Sequence, residues 1–527
     1  MRMPYFRPLH RSFIQTARRH PWRLAMADGR TAKLTFGAAL LRALFLARRL
    51  RGVWRDQERV GILLPPSVPG ALVNLAALLL GKVPVNLNYT ASKESLASCA
   101  HQCGLQTVVT ARAFMDRVRI DVPASPVWLE DLAASPQCGE RIAALVAWLL
   151  PARWIECSLG VRRPVQIDGP ATIIFSSGST GDPKGVILSH FNIAANVDQM
   201  NQVFLLGRHD RILGILPFFH SFGFTGTLCL PALLGIGVVF HFSPLEARAI
   251  GALVGRYSVT FLLATPTFLQ AYIRRCAPEE FGSLRFVMAG AEKLPERIAL
   301  AFEDRFGIRP LEAYGCTECA PAVAVNTRDF RKAQFRQVGA KRGSIGHPLP
   351  GIAVRVVDPD TFRPVPVGTA GLLFVRGPNV MQGYLGRPEK TAEVLRDGWY
   401  NTGDIGTLDE DGFLRITDRL SRFSKIGGEM VPHVKVEETL HELAESADQV
   451  FAVTALPDEK KGERLAVLYT LPNETLERCL TRLATSDLPS LWRPRPDQFV
   501  RVESLPYLGT GKLDLRRVRE LAAAAAR

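Results

Sequence analysis

TIIFSSGSTGDPKGV, residues 172–186, is the stretch on which the reading of this chain turns. The apolar run Thr172 to Phe175 predicts a buried strand. After it come Ser176, Ser177, Gly178, Ser179, Thr180 and Gly181, then Pro183, Lys184 and Gly185. Hydroxyls, approachable backbone N–H groups and one ammonium are what an anionic polyphosphate needs for a cradle. The loop is not a Walker A motif, because Pro183 stands where that motif has the glycine before its lysine. The bland alternative, a flexible Gly/Ser turn, leaves the Pro-Lys-Gly that follows unexplained.

The 527 residues are too many for one core, and length alone suggests about three domain-sized units. Apolar content of 47% with 22% charged residues places the chain among ordinary globular proteins. Nine cysteines without framework spacing favour a reducing compartment. Cys316 and Cys319 form a CxxC, and Cys99, His101 and Cys103 a CxHxC, but neither has the second pair that a zinc site needs. Among apolar runs, Ile212 to Leu245 is free of charge yet broken by Pro217, Pro231 and Pro244, so it reads as buried strand, loop and helix. Ile142 to Leu150 is too short to cross a bilayer, though long enough to lie on one. The first twenty residues lack the apolar segment of a signal peptide.

Net charge is +15, and it is unevenly placed: residues 1–60 hold 14 basic and 3 acidic side chains, whereas residues 418–527 hold 17 of each. Such an N-terminal excess suits a solvated basic face, an anionic membrane surface or an acidic protein partner. Nucleic acid is disfavoured, because no aromatic-interleaved basic motif accompanies the charge. Residues 328–342 add a second basic cluster, with Arg328, Arg331, Lys332, Arg336, Lys341 and Arg342 against Asp329 alone.

Short apolar runs alternate with helical patterns up to about residue 342: Gly61 to Leu64, Thr107 to Val109, Thr172 to Phe175, Val238 to Phe242, Phe261 to Ala264 and Phe286 to Ala289. That alternation predicts α/β layers built on parallel sheets. After Gly343 the pattern becomes strand-rich, as in a small barrel. The expected domains are 1–417, with the strand-rich subdomain over about 343–417, and a small α+β domain over 418–527.

The opening loop has company downstream: PFFHSFG (217–223), AGAEKLP (289–295), YGCTEC (314–319), GSIGHPLPG (343–351), WYNTGD (399–404), DRLSRFSKIGGEMV (418–431) and PYLGTGK (506–512). In this order, the set resembles the adenylate-forming superfamily of acyl-CoA synthetases, luciferases and peptide-synthetase adenylation domains. The resemblance covers nearly the whole chain. It implies ATP and Mg²⁺ as cofactors, and a large domain followed by a mobile small one. The Ser176–Lys184 loop would hold the pyrophosphate end of ATP. Gly290, Ala291 and Glu292 would line the adenine and Tyr314 would stack on it, while Asp404 and Arg419 would grip the ribose. Thr317 would touch the α-phosphate and Glu318 would hold Mg²⁺, a hard cation that prefers oxygen. His220 would line the junction of carboxylate and nucleotide. Lys512 would bridge the α-phosphate and the carboxylate during adenylation. A hinge is expected at Ser421, with Lys425 and Gly428 facing the site in the thioester step.

RFSKIGGEMV and YGCTECAP are similar to the synthetase half of bacterial acyl–acyl carrier protein synthetase/2-acylglycerophosphoethanolamine acyltransferases. No HxxxxD acyltransferase motif occurs at His10, His20 or His101, so a stand-alone synthetase is expected. The resemblance implies activation of a medium- or long-chain fatty acid and transfer to a phosphopantetheine thiol of acyl carrier protein. A fatty acyl-CoA ligase is the alternative, and an inactive lipid-binding protein on a membrane surface is the alternative of another class. The expected location is the cytoplasm, with the inner face of the cell membrane as a possible peripheral seat.

Overall fold

Runs of four apolar residues, each buried along its whole length, make the main sheet: Gly237–Phe240, Phe261–Ala264 and Phe286–Ala289. Strands covered on both faces read as continuous apolar runs, as these do. A computed structural model describes residues 7–29, 33–134, 138–176, 183–419, 422–426, 429–446, 448–458, 462–507 and 513–525. By packing, the chain forms two compact units, one of residues 1–354 and 375–400, the other of residues 355–374 and 401–527.

The first unit carries a nine-stranded sheet. Its parallel core runs Leu24–Asp28, Gly237–Phe240, Arg211–Gly214, Phe261–Ala264, Phe286–Ala289 and Leu311–Gly315, with antiparallel strands at both edges. A second, four-stranded parallel sheet orders Val83–Asn86, Arg59–Ile62, Thr107–Thr110 and Ser125–Trp128. The helix Phe36–Val53 starts at Thr35, whose hydroxyl accepts the Ala38 N–H, and buries Leu40, Leu44, Ala47 and Leu50. The uncharged run from Ile212 resolves into the strand Arg211–Gly214, a helical passage Ser221–Leu234 and the strand Gly237–Phe240. Among the described residues no helix is long and apolar enough to cross a membrane.

One strand departs from the expected parallel layers. Pro170–Ser176 pairs antiparallel with Lys184–Ser189, and a third strand, Gly383–Tyr384, closes this small sheet. The sequence after the loop is itself a strand, KGVILS, so the chain turns back on itself before any helix begins. The helix His190–Phe204 starts only at Ser189, which exchanges capping-box hydrogen bonds with Asn192. The first element described after the loop is therefore a strand, not a helix.

In the second unit, residues 401–408 pair antiparallel with Leu414–Arg419. Beyond them, Phe451–Asp458 and Gly462–Tyr469 pair antiparallel, flanked by Phe423–Ile426 and by the parallel strand Phe499–Arg501. Phe451 and Val453 face a core with Val436, Leu440 and Val467, while Ala452 faces Leu468, Val518 and Ala522 on the other side. That alternation is the two-residue period of a strand covered on both faces. Glu437, on the helix His433–Leu443, is buried, accepts the Val453 N–H and pairs with Arg422.

Candidate active site

In the first unit the site residues gather at the C-terminal ends of the parallel strands, where ligands of open α/β sheets bind. Phe286–Ala289 ends at Gly290, whose N–H donates to the Ala264 carbonyl of the neighbouring strand. Ala289 lies opposite Glu312, so the strand Leu311–Gly315 that carries Tyr314 runs alongside the one that ends at Gly290. A Cβ on Gly290 would lie 3.4 Å from both the Ala313 carbonyl and the Phe222 ring, so the absence of a side chain leaves this edge close and flat. Glu292 accepts a hydrogen bond from Thr267 at 3.2 Å.

His220 precedes the short turn Ser221–Gly223, which lies against this edge. Gly223 fits because a Cβ there would lie 2.1 Å from the Pro217 carbonyl. The tight passage brings Ser221 Oγ to 3.4 Å from Thr317 Oγ1. His220 packs against Phe219, with ring centroids 4.5 Å apart and planes tilted by 56°, and Phe219 meets Tyr89 edge to face at 4.9 Å. Phe218, Phe219 and Phe224 are buried, so at least these rings belong to the core as much as to any cavity wall.

Thr317 and Glu318 sit in a single 3-10 turn after the Tyr314 strand. Glu318 is buried at 8% exposure, and Tyr384 donates its hydroxyl to Glu318 Oε1 at 2.9 Å. The Glu318 carbonyl accepts the Met381 N–H at 2.7 Å. Asn379 ties down the same turn through the Cys319 and Ala322 carbonyls, at 2.7 and 3.0 Å. Burial, then the nearby Glu318 carboxylate, pushes the Tyr384 hydroxyl well above its ordinary value, so it remains a donor. Tyr384 also lies opposite Val186 on the loop hairpin, and Lys184 Nζ stands 5.2 Å from the centre of its ring. One tyrosine thus joins the hairpin that carries Ser176 and Lys184 to the turn that carries Thr317 and Glu318.

Tyr384 and Asn379 belong to none of the motifs quoted above. The signal was present as PNVMQGYLGRPEKT, residues 378–391, but a tyrosine in a turn-rich stretch has no chemistry until its partner is known.

The donor set at the turn suits a hard cation. Glu318 is a buried carboxylate with one oxygen held by Tyr384. Mg²⁺ is usually held by one or two protein carboxylates together with substrate phosphates and waters. Among the described residues no group of three or more His, Cys, Asp or Glu forms a metal cage. Cys99 and Cys103 are buried, and burial pushes both thiols up to about 12.

In the second unit, Asp404 is buried and lies directly opposite Arg419 on the antiparallel partner strand. Its N–H donates to Thr402 Oγ1 at 3.1 Å, which tightens the Thr-Gly turn. Lys425 lies on the strand Phe423–Ile426. Ser177, Gly178, Ser179, Thr180, Gly181, Ser421, Gly428 and Lys512 lie outside the described residues.

Residues 13–385 match the family model of the AMP-binding enzymes. A feruloyl-CoA synthase from Amycolatopsis is 33% identical, over 96% of this chain and 97% of that protein. A long-chain-fatty-acid–CoA ligase from Yersinia pestis is 28% identical, over 88% and 85% of the two chains. Among solved structures, ATP-bound MatB from Rhodopseudomonas palustris superposes with a TM-score of 0.79 at 25% identity, covering 97% of this chain and 98% of that one. The family match, with acid–thiol ligases among the relatives, makes this an adenylate-forming ligase that joins an acid to a thiol. The chain belongs to the AMP-binding enzyme family.

Proposed function

We propose that this protein is a fatty acid–coenzyme A ligase that uses ATP and Mg²⁺ to form an acyl-adenylate and then a thioester. The observation that carries the chemistry is the Tyr384 link between the Lys184 hairpin and the Glu318 turn. Adenylation needs charge neutralised at both ends of a triphosphate, and this link holds a cation and a carboxylate in one frame.

The carboxylate of the acid attacks the α-phosphorus of ATP; the bond to the β-phosphate breaks and pyrophosphate leaves. Negative charge builds on the non-bridging oxygens, so the chain's work is mainly positioning and neutralisation. Lys184 and the loop hold the pyrophosphate end. Thr317 donates its hydroxyl to the α-phosphate, and Lys512 supplies a second cation there. Glu318 would hold Mg²⁺. When bound, that ion neutralises phosphate charge. Tyr314 and Gly290 to Glu292 receive the adenine, and Asp404 with Arg419 the ribose. In the second step the thiolate attacks the acyl carbonyl and AMP leaves, with residues 418–527 as a mobile domain turning about Ser421 to bring Lys425 and Gly428 to bear.

For the acceptor, the curated relatives above are named for coenzyme A products, which favours coenzyme A over acyl carrier protein. A second reading of the acid follows from the same comparison: an aromatic acid such as ferulate in place of a fatty acid.

The deciding assay is ATP–pyrophosphate exchange with fatty acids of graded length and with ferulate, followed by acyl transfer to coenzyme A or to holo acyl carrier protein. The proposal expects Mg²⁺-dependent exchange with a fatty acid and transfer to coenzyme A. Exchange with no acid would sink the enzyme reading, and transfer to carrier protein alone would reverse the choice of acceptor.

A further inference from the structure

The helix Cys138–Leu149 is packed inside out. Among its described side chains the buried ones are the small Ala144 and Ala147, at 4% and 2% exposure. The large aliphatics point outward: Ile142 is 61% exposed, Leu145 53%, Val146 51% and Leu149 69%. They recur at i, i+3, i+4 and i+7, one continuous stripe along about two turns. A helix that needed only to pack against Phe36–Val53, its neighbour, would turn this stripe the other way.

Two tryptophans extend the apolar surface. Arg18, near the end of the helix Leu9–Arg19, donates its guanidinium to the Trp148 and Leu150 carbonyls, which fixes the ends of the two helices side by side. Trp22 follows the first helix and is 88% exposed; Trp154 follows the second and is 63% exposed.

The neighbouring segments are rich in arginine, and Arg7, Arg19, Arg162 and Arg163 are exposed. Residues 7–27 contain five arginines and no carboxylate. Arg153, Arg162 and Arg163 follow the stripe, and the acid among them, Glu156, is buried and satisfied by His10, Arg11 and Arg153. Exposed aliphatics on one helix face, interfacial tryptophans and a rim of arginines together match the chemistry of an anionic lipid surface. An acidic protein would answer the arginines but leave the aliphatic stripe without a match.

We infer that this corner, centred on Ile142, Leu145, Val146 and Leu149 with Trp22 and Trp154 beside them, docks the protein onto anionic bilayers. The stripe lies in the interface, the tryptophans at headgroup level, and the arginines against lipid phosphates. The inference stands on the exposed surface alone and does not depend on the choice of acid or acceptor.

The test is flotation of the full chain with vesicles of phosphatidylcholine, alone or mixed with phosphatidylglycerol. Binding to the mixed vesicles, weakened by salt, is expected. Leu145→Ser with Leu149→Ser should lower the partition coefficient by about tenfold to a hundredfold, with pyrophosphate exchange unchanged. As a check without a stripe variant, lipids brominated near the headgroup should quench tryptophan emission, less so in Trp22→Phe and Trp154→Phe. No flotation with anionic vesicles, or equal flotation of the double variant, would overturn the inference. So would light scattering that shows a dimer which the double variant converts to a monomer, since a second copy would then cover the stripe.

Discussion

Tyr384 donates its hydroxyl to the Glu318 carboxylate at 2.9 Å, across 66 residues of sequence. Each belongs to a different local structure, one to an edge strand on the loop hairpin and the other to a single helical turn. The bond makes the position of the acid depend on the position of the loop.

Removal of that hydroxyl should loosen the acid without removing it. A hydrogen bond to a charged group contributes about 1.5–3 kcal/mol, so Tyr384→Phe should lower pyrophosphate exchange by about tenfold to a hundredfold. Titration of exchange against Mg²⁺ should show a raised apparent KM for the metal. An unchanged Mg²⁺ dependence would mean that Tyr384 serves only the fold.

Glu318→Gln keeps an acceptor for Tyr384 but discards the negative charge. The fold should therefore survive, with thermal unfolding shifted little, while exchange falls by about a hundredfold or more. Near-native exchange in this variant would remove Glu318 from the chemistry.

Lys512→Ala separates the two half-reactions. Adenylation, read by pyrophosphate exchange, should be lost, whereas thioester formation from supplied acyl-adenylate should be largely spared. Equal loss of both would contradict a lysine confined to the first step.

Acid should destabilise the first unit through His190. Burial, aided by nearby His10, pushes His190 down to about 3. The folded state thus keeps the ring neutral while an unfolded chain, with an ordinary value of about 6.5, takes up a proton. Stability is full above about pH 6.5 and falls as the pH drops towards 3, by about 1.4 kcal/mol per pH unit for this one group. His190→Asn should flatten the measured slope between pH 6 and 4 by about that amount. A slope unaltered by the substitution would assign the acid sensitivity elsewhere.

Much of the architecture was legible because short buried strands advertise themselves. Phe261 to Ala264 and Phe286 to Ala289 are apolar at every position, and both form strands over those same residues. Pairing was not legible. The run Thr172 to Phe175 looks the same whether its neighbour is parallel or antiparallel, and only the return strand Lys184–Ser189 decides between them. Nor was exposure: the run from Ile142 is long enough to lie on a bilayer, but only the fold, which turns Ala144 and Ala147 inward, decides which side chains face out.

By itself the sequence determined the chemistry on offer: hydroxyls, glycines and Lys184 in one loop, a Thr-Glu pair, an aspartate after a Thr-Gly turn and the order in which they occur. Those are properties of residue types and spacing, which no fold alters. The tertiary structure decided which of them meet. Tyr384 acquires a role because an edge strand sets it beside Val186 and within reach of Glu318. A hydrogen bond acts over about 3 Å, and sequence distance carries no information about such lengths once the chain has folded back on itself.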